Sequence, residues 1–363
     1  MEVQFTPEGI HLPAIDLWLD PAHKCQSSWI SHAHSDHARG LHCQVIGTPL
    51  TLRAYRIRWP EEEASPQSLK ALDYGESMVW NGATLTAVPA SHIVGAAQLL
   101  VEFEGERLVY TGDIKLRQSI CGVDTVVVSC DRLIIESTFG LPIYKFLSRE
   151  EAVERIVNFA RECLADKITP VFIGYPLGRG QEIGYAICRA GIPTAVHGSI
   201  ARMIPVYEEA GYDFSGWIPY AARETQGKAL VVTPSFRPHI EASGKSYRLA
   251  YVSGWAALDN ARNRAGAEEL IPYSDHAGFD ELIEMVERSG ARQVDIVHGY
   301  VDALCHSTGS WNRCRRRKRR RRASMRSRPK ADGYPGASLR AHCKLRVAVE
   351  ESGDLIGLSS RAG

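Results

Sequence analysis

Three histidines and one aspartate fall within residues 32–37 of this 363-residue sequence, where Ser31–His37 reads Ser-His-Ala-His-Ser-Asp-His. In an extended chain His32 and His34 point to the same side, because side chains alternate with period two. The chain must then turn for Asp36 and His37 to reach the same space. Imidazole nitrogens and carboxylate oxygens are the ligands that Zn²⁺ prefers in proteins. The spacing therefore predicts a metal site rather than a polar loop with scattered histidines.

Strands that end in polar residues are the elements that would position such a site. Apolar or alternating segments typical of strands run up to Asp20, His92, Asp113 and Glu136. Taken singly, each of these residues is also compatible with an ordinary turn at the end of a strand.

Helical and strand-like patterns alternate in the second half of the chain. Apolar residues recur at helical spacing over 150–164, a helix is predicted over 200–209, and short apolar strands separate such segments. A helix over 279–287 and a strand over 293–297 follow. The sequence predicts an α/β fold in which a second α/β layer is inserted into the first domain.

Composition favours a cytoplasmic protein. No apolar run approaches the length of a transmembrane helix, and the first residues lack the basic start and apolar core of a signal peptide. The nine cysteines form no Cys-x-x-Cys pair, so we expect reduced thiols.

Charge is distributed very unevenly. Residues 1–305 carry 27 Lys and Arg against 38 Asp and Glu, whereas residues 306–363 carry 16 against 4. The latter segment includes eight consecutive basic residues, Arg315–Arg322. Like charges repel and little apolar surface is available, so we predict a basic, disordered tail over 306–363. Two explanations of this tail stay open. Its basic residues would bind phosphates of nucleic acid non-specifically, or the segment would result from an altered reading frame.

Taken together, the ordered motifs resemble those of the metallo-β-lactamase superfamily. Glu-Ser-Thr-Phe-Gly at 136–140 resembles its β-CASP branch of nucleic-acid-processing nucleases, and Ser-Asp-His at 274–276 and His-Gly-Tyr at 298–300 follow in order. Within that branch the strings are most similar to ligase-associated DNA exonucleases, relatives of the RNA 3′-end processing nucleases. The resemblance covers about residues 1–304. One local departure is Gly180, where the compared relatives carry alanine.

The resemblance implies a fold and its division into domains. A metallo-β-lactamase αββα sandwich would comprise residues 1–140 and 266–305, and an inserted β-CASP domain would comprise residues 141–265. Oligomeric state stays open.

A metal centre is also implied. The resemblance implies two Zn²⁺ per chain, with Mn²⁺ as a substitute, and a metal pair of this kind activates water for attack on phosphorus. The first ion would take His32, His34, His92 and Asp113. The second would take Asp36, His37, Asp113 and His298, so that Asp113 bridges the pair.

Catalytic roles follow from the same resemblance. Besides Asp36, the residues expected to act are His276 as a general acid, Glu136 as the carboxylate that orients it, and Asp20 as a carboxylate that orients the ligands.

Four residues are weaker candidates for binding substrate. Gly178 and Arg179 open a helix, where backbone N–H groups would face a phosphate, although an ordinary βα turn is as compatible. Arg262 and Arg264 would line a nucleic-acid track or face solvent.

The expected function is zinc-dependent hydrolysis of phosphodiester bonds in nucleic acid, by a DNA exonuclease associated with repair or ligation and with a DNA ligase as partner. The alternatives are an RNA 3′-end processing nuclease, a small-molecule hydrolase such as a thioesterase, and a non-catalytic scaffold that binds nucleic-acid ends. The polarity of digestion and the choice between endo- and exonuclease action stay open.

Overall fold

A computed structural model describes residues 1–40, 42–60, 68–221, 225–242, 244, 246–258, 260–307 and 342–346. Its strands, numbered in chain order, are β1 Gln4–Thr6, β2 Gly9–Leu12, β3 Leu17–Leu19, β4 Ser27–Trp29, β5 Gln44–Gly47, β6 Ser68–Ala71, β7 Ser77–Trp80, β8 Ala83–Pro89, β9 Ala97–Phe103, β10 Glu106–Tyr110, β11 Arg132–Glu136, β12 Thr169–Ile173, β13 Thr194–Val196, β14 Trp217–Pro219, β15 Ala229–Val232, β16 Tyr247–Val252, β17 Glu269–Ile271, β18 Gln293–Val297 and β19 His342–Arg346.

The helices lie mostly in the second half of the chain. They are α1 Pro49–Arg58, α2 Arg149–Ala165, α3 Arg179–Arg189, α4 Gly198–Ala201, α5 Ile204–Glu209, α6 Arg237–Ala242, α7 Ala261–Ala265, α8 Phe279–Ser289 and α9 Val301–Ser307, with 3₁₀ turns at Pro13–Ile15, Pro234–Phe236 and Gly254–Ala257.

Two mixed sheets pack face to face. The first has the order β1-β2-β3-β4-β5-β6 and the second β19-β18-β11-β10-β9-β8-β7. Alternate residues of their strands point to the same face, and Leu19 and Trp29 of the first sheet share one buried cluster with Leu99, Tyr110 and Ile134 of the second. Burial of apolar area in this layer, worth about 25 cal/mol per Å², holds the two sheets together.

Several strands of the second sheet run in the same direction, so the polar chain turns that follow them lie at one edge of the sheet. β10, β11 and β18 are parallel, and β8 shares their direction because β9 is antiparallel to both β8 and β10. The residues that follow these four strands therefore meet at a single sheet edge. The first sheet joins them there, since Ser31 O, just beyond β4, accepts a hydrogen bond of 2.9 Å from Ala97 N.

A third sheet is wholly parallel, in the order β14-β13-β15-β12-β16-β17. Its strands alternate with helices, which is the arrangement that parallel crossover connections require. The α/β class is thus confirmed. The third sheet continues to Ile271, beyond the boundary expected at residue 265. The domain boundaries themselves stay a prediction.

Helix predictions are confirmed over 150–164 and 279–287, where α2 and α8 lie. The side chain of Ser148 and that of Glu151 form a capping box that starts α2. The continuous helix expected over 200–209 is wrong, because α4 ends at Ala201 and α5 begins at Ile204. Pro205 occupies the first turn of α5, where its missing N–H costs nothing, whereas it cannot continue a helix from before.

One strand, β19, lies in the part of the tail that the structure describes. β19 pairs antiparallel with β18, with Gln293 opposite Arg346 and Val297 opposite His342. Disorder throughout 306–363 is therefore wrong for β19 and for the end of α9, and the basic run lies outside the described residues. Cys305 is disulfide-bonded, so the expectation of reduced thiols is wrong for this cysteine.

Candidate metal centre

Four side chains from three chain turns converge beyond the sheet edge. His32 and His34 follow β4, His92 follows β8, and Asp113 follows β10. Ligand atoms of these residues all lie within 4.8 Å of one another. His34 Nδ1 lies 3.0 Å from His32 Nε2 and 3.1 Å from His92 Nε2. The Oδ2 atom of Asp113 is 3.5 Å from His32 Nε2 and 3.7 Å from His92 Nε2.

Glycine at position 112 permits this approach. Its φ of +57° is a left-handed conformation that disfavours L side chains, and a Cβ there would lie 2.5 Å from Ser31 Cβ. The backbone of the β10 turn at Gly112 thus lies directly against the Ser31 side chain of the β4 turn. That contact brings Asp113 to the histidines.

The outer ring nitrogens of the three histidines fix where each proton sits. His34 Nε2 lies 3.2 Å from Leu177 O, and His92 Nδ1 lies 2.8 Å from Asp275 O. A carbonyl oxygen only accepts, so both of these nitrogens carry the proton. His32 Nδ1 lies 3.0 Å from the Ser31 hydroxyl, which itself donates to Asp20 and therefore accepts from the ring.

The inner nitrogens of these rings consequently present lone pairs to one another. Burial lowers the pKa values of His32 and His92 well below the usual range, and neighbouring imidazoles add to that shift; burial also lowers the pKa of His34. Asp113 is buried as well, which raises its pKa to about 7. Converging imidazole lone pairs beside a buried carboxyl group are unfavourable alone but suit a divalent cation, which takes the place of any proton there. The residues present fit such an ion.

His37 also lies beside Asp113, with its ring centroid 4.2 Å from that of His32. Its Nε2 atom is 3.4 Å from Asp113 Oδ2 and 3.9 Å from Asp36 Oδ2. The ring of His298 lies 5.9 Å from that of His37, centroid to centroid. Asp36, His37 and His298 line a small pocket, open in part to solvent, together with Asp20 and Tyr110.

His298 has two features expected of a metal ligand. Its Nδ1 atom is buried and has no hydrogen-bond partner in the structure, which is costly unless something else occupies that position. Its pKa is lowered to about 4 by burial, with His37 contributing. Asp36 and His298 nevertheless lie outside the 4.8 Å group formed by the first four residues.

The Asp20 carboxylate contacts three residues of the chain turns around the site. Its Oδ2 atom lies 2.7 Å from His37 Nδ1 and accepts from Tyr110 Oη at 2.8 Å, while Oδ1 accepts from Ser31 N at 2.7 Å. A carboxylate with these partners fixes the orientation of the His37 ring.

Glu136 and His276 form a buried pair beside Asp113. The distance between Glu136 Oε1 and His276 Nδ1 is 2.8 Å, and His276 Nε2 lies 3.9 Å from Asp113 Oδ2. Burial opposes the charged imidazole, but Glu136 and Asp113 outweigh it and raise the pKa of His276 to about 10. The ring therefore holds a proton next to the metal centre.

The structure gives less support to the predicted substrate-binding residues. Arg179 does not offer its side chain to a phosphate, because only 2% of the residue is exposed and it pairs with Glu182 and Asp275. Gly178 packs instead against Ile93, which a Cβ would approach to 2.8 Å.

The second arginine pair gives no support to a nucleic-acid track. The exposed Arg262 donates to the carbonyls of Ala267 and Glu268. The side chain of Arg264 lies outside the described residues.

Sequence reasoning missed the contacts that surround the ligands. Asp275 acts through its backbone carbonyl on His92, and Leu177 does the same for His34. Every residue type has a backbone carbonyl, so the sequence contained no signal for the role of Leu177. Asp275 is adjacent to His276, and the segment 274–276 was the available signal.

Within the described part of the chain, no helix is both long and apolar enough to cross a membrane. The comparison with protein-family models gives no match.

Curated relatives share sequence over much of the chain. A probable DNA ligase of Opitutus terrae is 30% identical over 303 residues, which are 83% of this chain and 29% of that protein. The DNA cross-link repair protein SNM1 of Arabidopsis thaliana is 26% identical, over 72% of this chain and 59% of the relative. The cleavage and polyadenylation specificity factor 73 of Drosophila melanogaster is 27% identical, over 47% of this chain and 29% of the relative. The chain thus spans less than a third of the ligase and about three fifths of SNM1.

A solved structure of a protein of unknown function from Enterococcus faecalis V583 has a TM-score of 0.51 over 73% of each chain, at 14% identity. That likeness concerns the fold alone. The sequence relatives have in common the β-CASP form of the metallo-β-lactamase nucleases. These relatives confirm the resemblance of the chain to the β-CASP branch of the metallo-β-lactamase superfamily.

Proposed function

We propose that this protein is a metal-dependent nuclease that hydrolyses phosphodiester bonds of nucleic acid. The observation that carries the proposal is the buried convergence of His32, His34, His92 and Asp113, with the His276–Glu136 pair beside it. The αββα sandwich, built on the first two sheets, would comprise residues 1–140 and 266–305, and the inserted β-CASP domain, built on the third sheet, about residues 141–265. Strand β17 extends the third sheet past this boundary, to Ile271.

The proposed metal is Zn²⁺, at two ions per chain, with Mn²⁺ as a substitute. Nucleases of this family use divalent metal. When bound, divalent ions lower the pKa of water and neutralise charge on a phosphate. One ion would be held by His32, His34, His92 and Asp113, and the other by Asp36, His37, Asp113 and His298.

The chain's own residues supply orientation and a proton. Asp20 holds His37 through a contact of 2.7 Å, and Tyr110 donates to the same Asp20 oxygen at 2.8 Å. His276 would give the proton on Nε2 to the sugar oxygen as the P–O bond breaks, while Glu136 keeps the other ring nitrogen protonated. Positioned proton donors of this kind contribute about 10²–10⁴ in rate.

DNA is the proposed substrate, in exonucleolytic processing linked to repair or ligation and with a DNA ligase as partner. Similarity to a probable DNA ligase and to a DNA cross-link repair protein supports this choice. RNA 3′-end processing is the second candidate, which similarity to a cleavage and polyadenylation factor favours.

Incubation of the purified protein with end-labelled DNA and RNA of equal sequence tests the proposal. We expect stepwise shortening of DNA that a chelator abolishes and added Zn²⁺ restores. Faster cleavage of RNA would favour the second candidate. Retention of labelled ends without any cleavage would instead identify a scaffold, and hydrolysis restricted to thioesters or lactams would identify a small-molecule hydrolase.

A further inference from the structure

Two contacts join the third sheet to the histidine cluster. The segment between β12 and α3 supplies Leu177 O, which lies 3.2 Å from His34 Nε2. Arg179, which begins α3, pairs through Nη2 with Asp275 Oδ1 at 3.1 Å. The carbonyl of Asp275 in turn lies 2.8 Å from His92 Nδ1. The first contact thus reaches an outer ring nitrogen of a proposed ligand directly, and the second reaches one through Asp275.

Arg179 is fixed in this position by its surroundings. The side chains of Arg179 and Glu182 are 3% and 2% exposed, and Nη1 pairs with Glu182 Oε2 at 3.0 Å. The guanidinium also lies over the ring of Tyr273, at 4.6 Å from its centroid. A planar guanidinium can reach two carboxylates at once with fixed geometry, which an ammonium group cannot do.

The adjoining loop packs closely against the residues around the histidine cluster. Gly178 has φ of +92°, and a Cβ at this position would lie 2.8 Å from Ile93 Cγ2 and 3.5 Å from both Asp275 Oδ2 and His34 Nε2. The loop therefore fits closely against Ile93, which follows His92 directly. Any shift of α3 would carry the Leu177 carbonyl with it.

We propose that Arg179 is a positioning residue for metal binding, acting through Asp275 on His92 and through the adjoining Leu177 carbonyl on His34. These contacts keep a proton on Nε2 of His34 and on Nδ1 of His92, so that His34 Nδ1 and His92 Nε2 face the ion. The third sheet thereby completes the metal centre. The inference rests on the proposed metal-dependent function.

Arg179→Met removes the ion pairs with Glu182 and Asp275 but keeps a long side chain that fills most of the same space. We expect its Zn²⁺ affinity at the His32, His34 and His92 site to fall by about 10–100-fold, the usual effect of losing a residue that orients a ligand. Competition with a chromophoric zinc chelator measures this without substrate. Arg179→Lys keeps the charge but cannot bridge both carboxylates, so its affinity should fall between that of the wild type and that of Arg179→Met.

Arg132→Met is the matched control. Arg132 is also buried and pairs with Asp295 at 2.6 Å, but it begins β11, at the end opposite Glu136. This variant should lose stability and keep the wild-type zinc affinity. Long-range ¹H–¹⁵N correlation of the imidazoles adds a direct readout, in which Arg179→Met should mix the tautomers of His34 and His92 while Arg132→Met leaves them unchanged.

Zinc affinity of Arg179→Met no lower than that of the control would overturn the inference. Should Arg179→Met fail to fold, Arg179→Lys decides, because an unchanged affinity in that variant has the same meaning. No nucleic acid is present in these titrations. A wild-type protein that binds Zn²⁺ but cleaves nothing would thus refute the nuclease and leave the role of Arg179 standing.

Discussion

Nδ1 of His276 lies 2.8 Å from Oε1 of Glu136, and this contact joins the segment after β17 to the last residue of β11. Glu136 is buried, and its charge-assisted hydrogen bonds with His276 and with Thr138 N hold its pKa at about 2 against the effect of burial. A carboxylate fixed in this way keeps the His276 ring protonated and oriented. The proton on Nε2 then faces the proposed reaction centre.

His276→Ala should therefore slow cleavage of a natural diester by about 10²–10⁴ with unchanged zinc content. On an aryl phosphodiester with an activated leaving group the loss should largely disappear, because that leaving group needs no proton. Rates on the two substrates and zinc analysis check this. An equal loss on both, or loss of metal, would show that His276 is not the acid.

Asp113→Ala should reduce the zinc content from about two ions per chain, because Asp113 Oδ2 lies within 3.7 Å of three histidines, His32, His37 and His92. Elemental analysis after dialysis measures the content. Asp124→Ala, which removes an exposed acid, is the control and should retain the wild-type value. Two ions retained by Asp113→Ala would argue against a bridging role.

Gly112→Ala should destabilise the protein and disrupt the metal centre. A positive φ costs alanine about 1–2 kcal/mol, and the overlap with Ser31 should cost about 1–3 kcal/mol more. Gly105→Ala is the matched control, since Gly105 also has positive φ but a Cβ there meets nothing within 4 Å. Urea denaturation compares the two. Equal losses of unfolding free energy would refute the close contact.

Deletion of residues 342–363 should lower the melting temperature, whereas deletion of 347–363 should not. β19 covers one hydrogen-bonding edge of β18, the strand that precedes His298. Hydrogen exchange of the β18 amides should accelerate only in the longer deletion. Identical melting and exchange in both would mean that β19 contributes nothing to the sheet.

The sequence by itself was sufficient for the groups whose chemistry is local. His32, His34 and His37 are close in sequence, and a strand followed by a turn brings them together whatever the rest of the fold does. The α/β class followed in the same way, since hydrophobic periodicity is set within each segment. Helix α2 agrees with the helix predicted from apolar spacing, because residues within the helix and directly before it determine both its apolar face and its Ser148 cap.

Only the tertiary structure decided the partners of these groups. The position of Arg179 at the start of a helix made it a candidate for binding phosphate. In the folded protein Asp275, which is distant in sequence, pairs with the buried Arg179 side chain. The Leu177 carbonyl orients His34 and belongs to no motif, because every residue except proline has the same backbone groups. Burial and long-range approach set these contacts, and neither is a property of residue type or spacing.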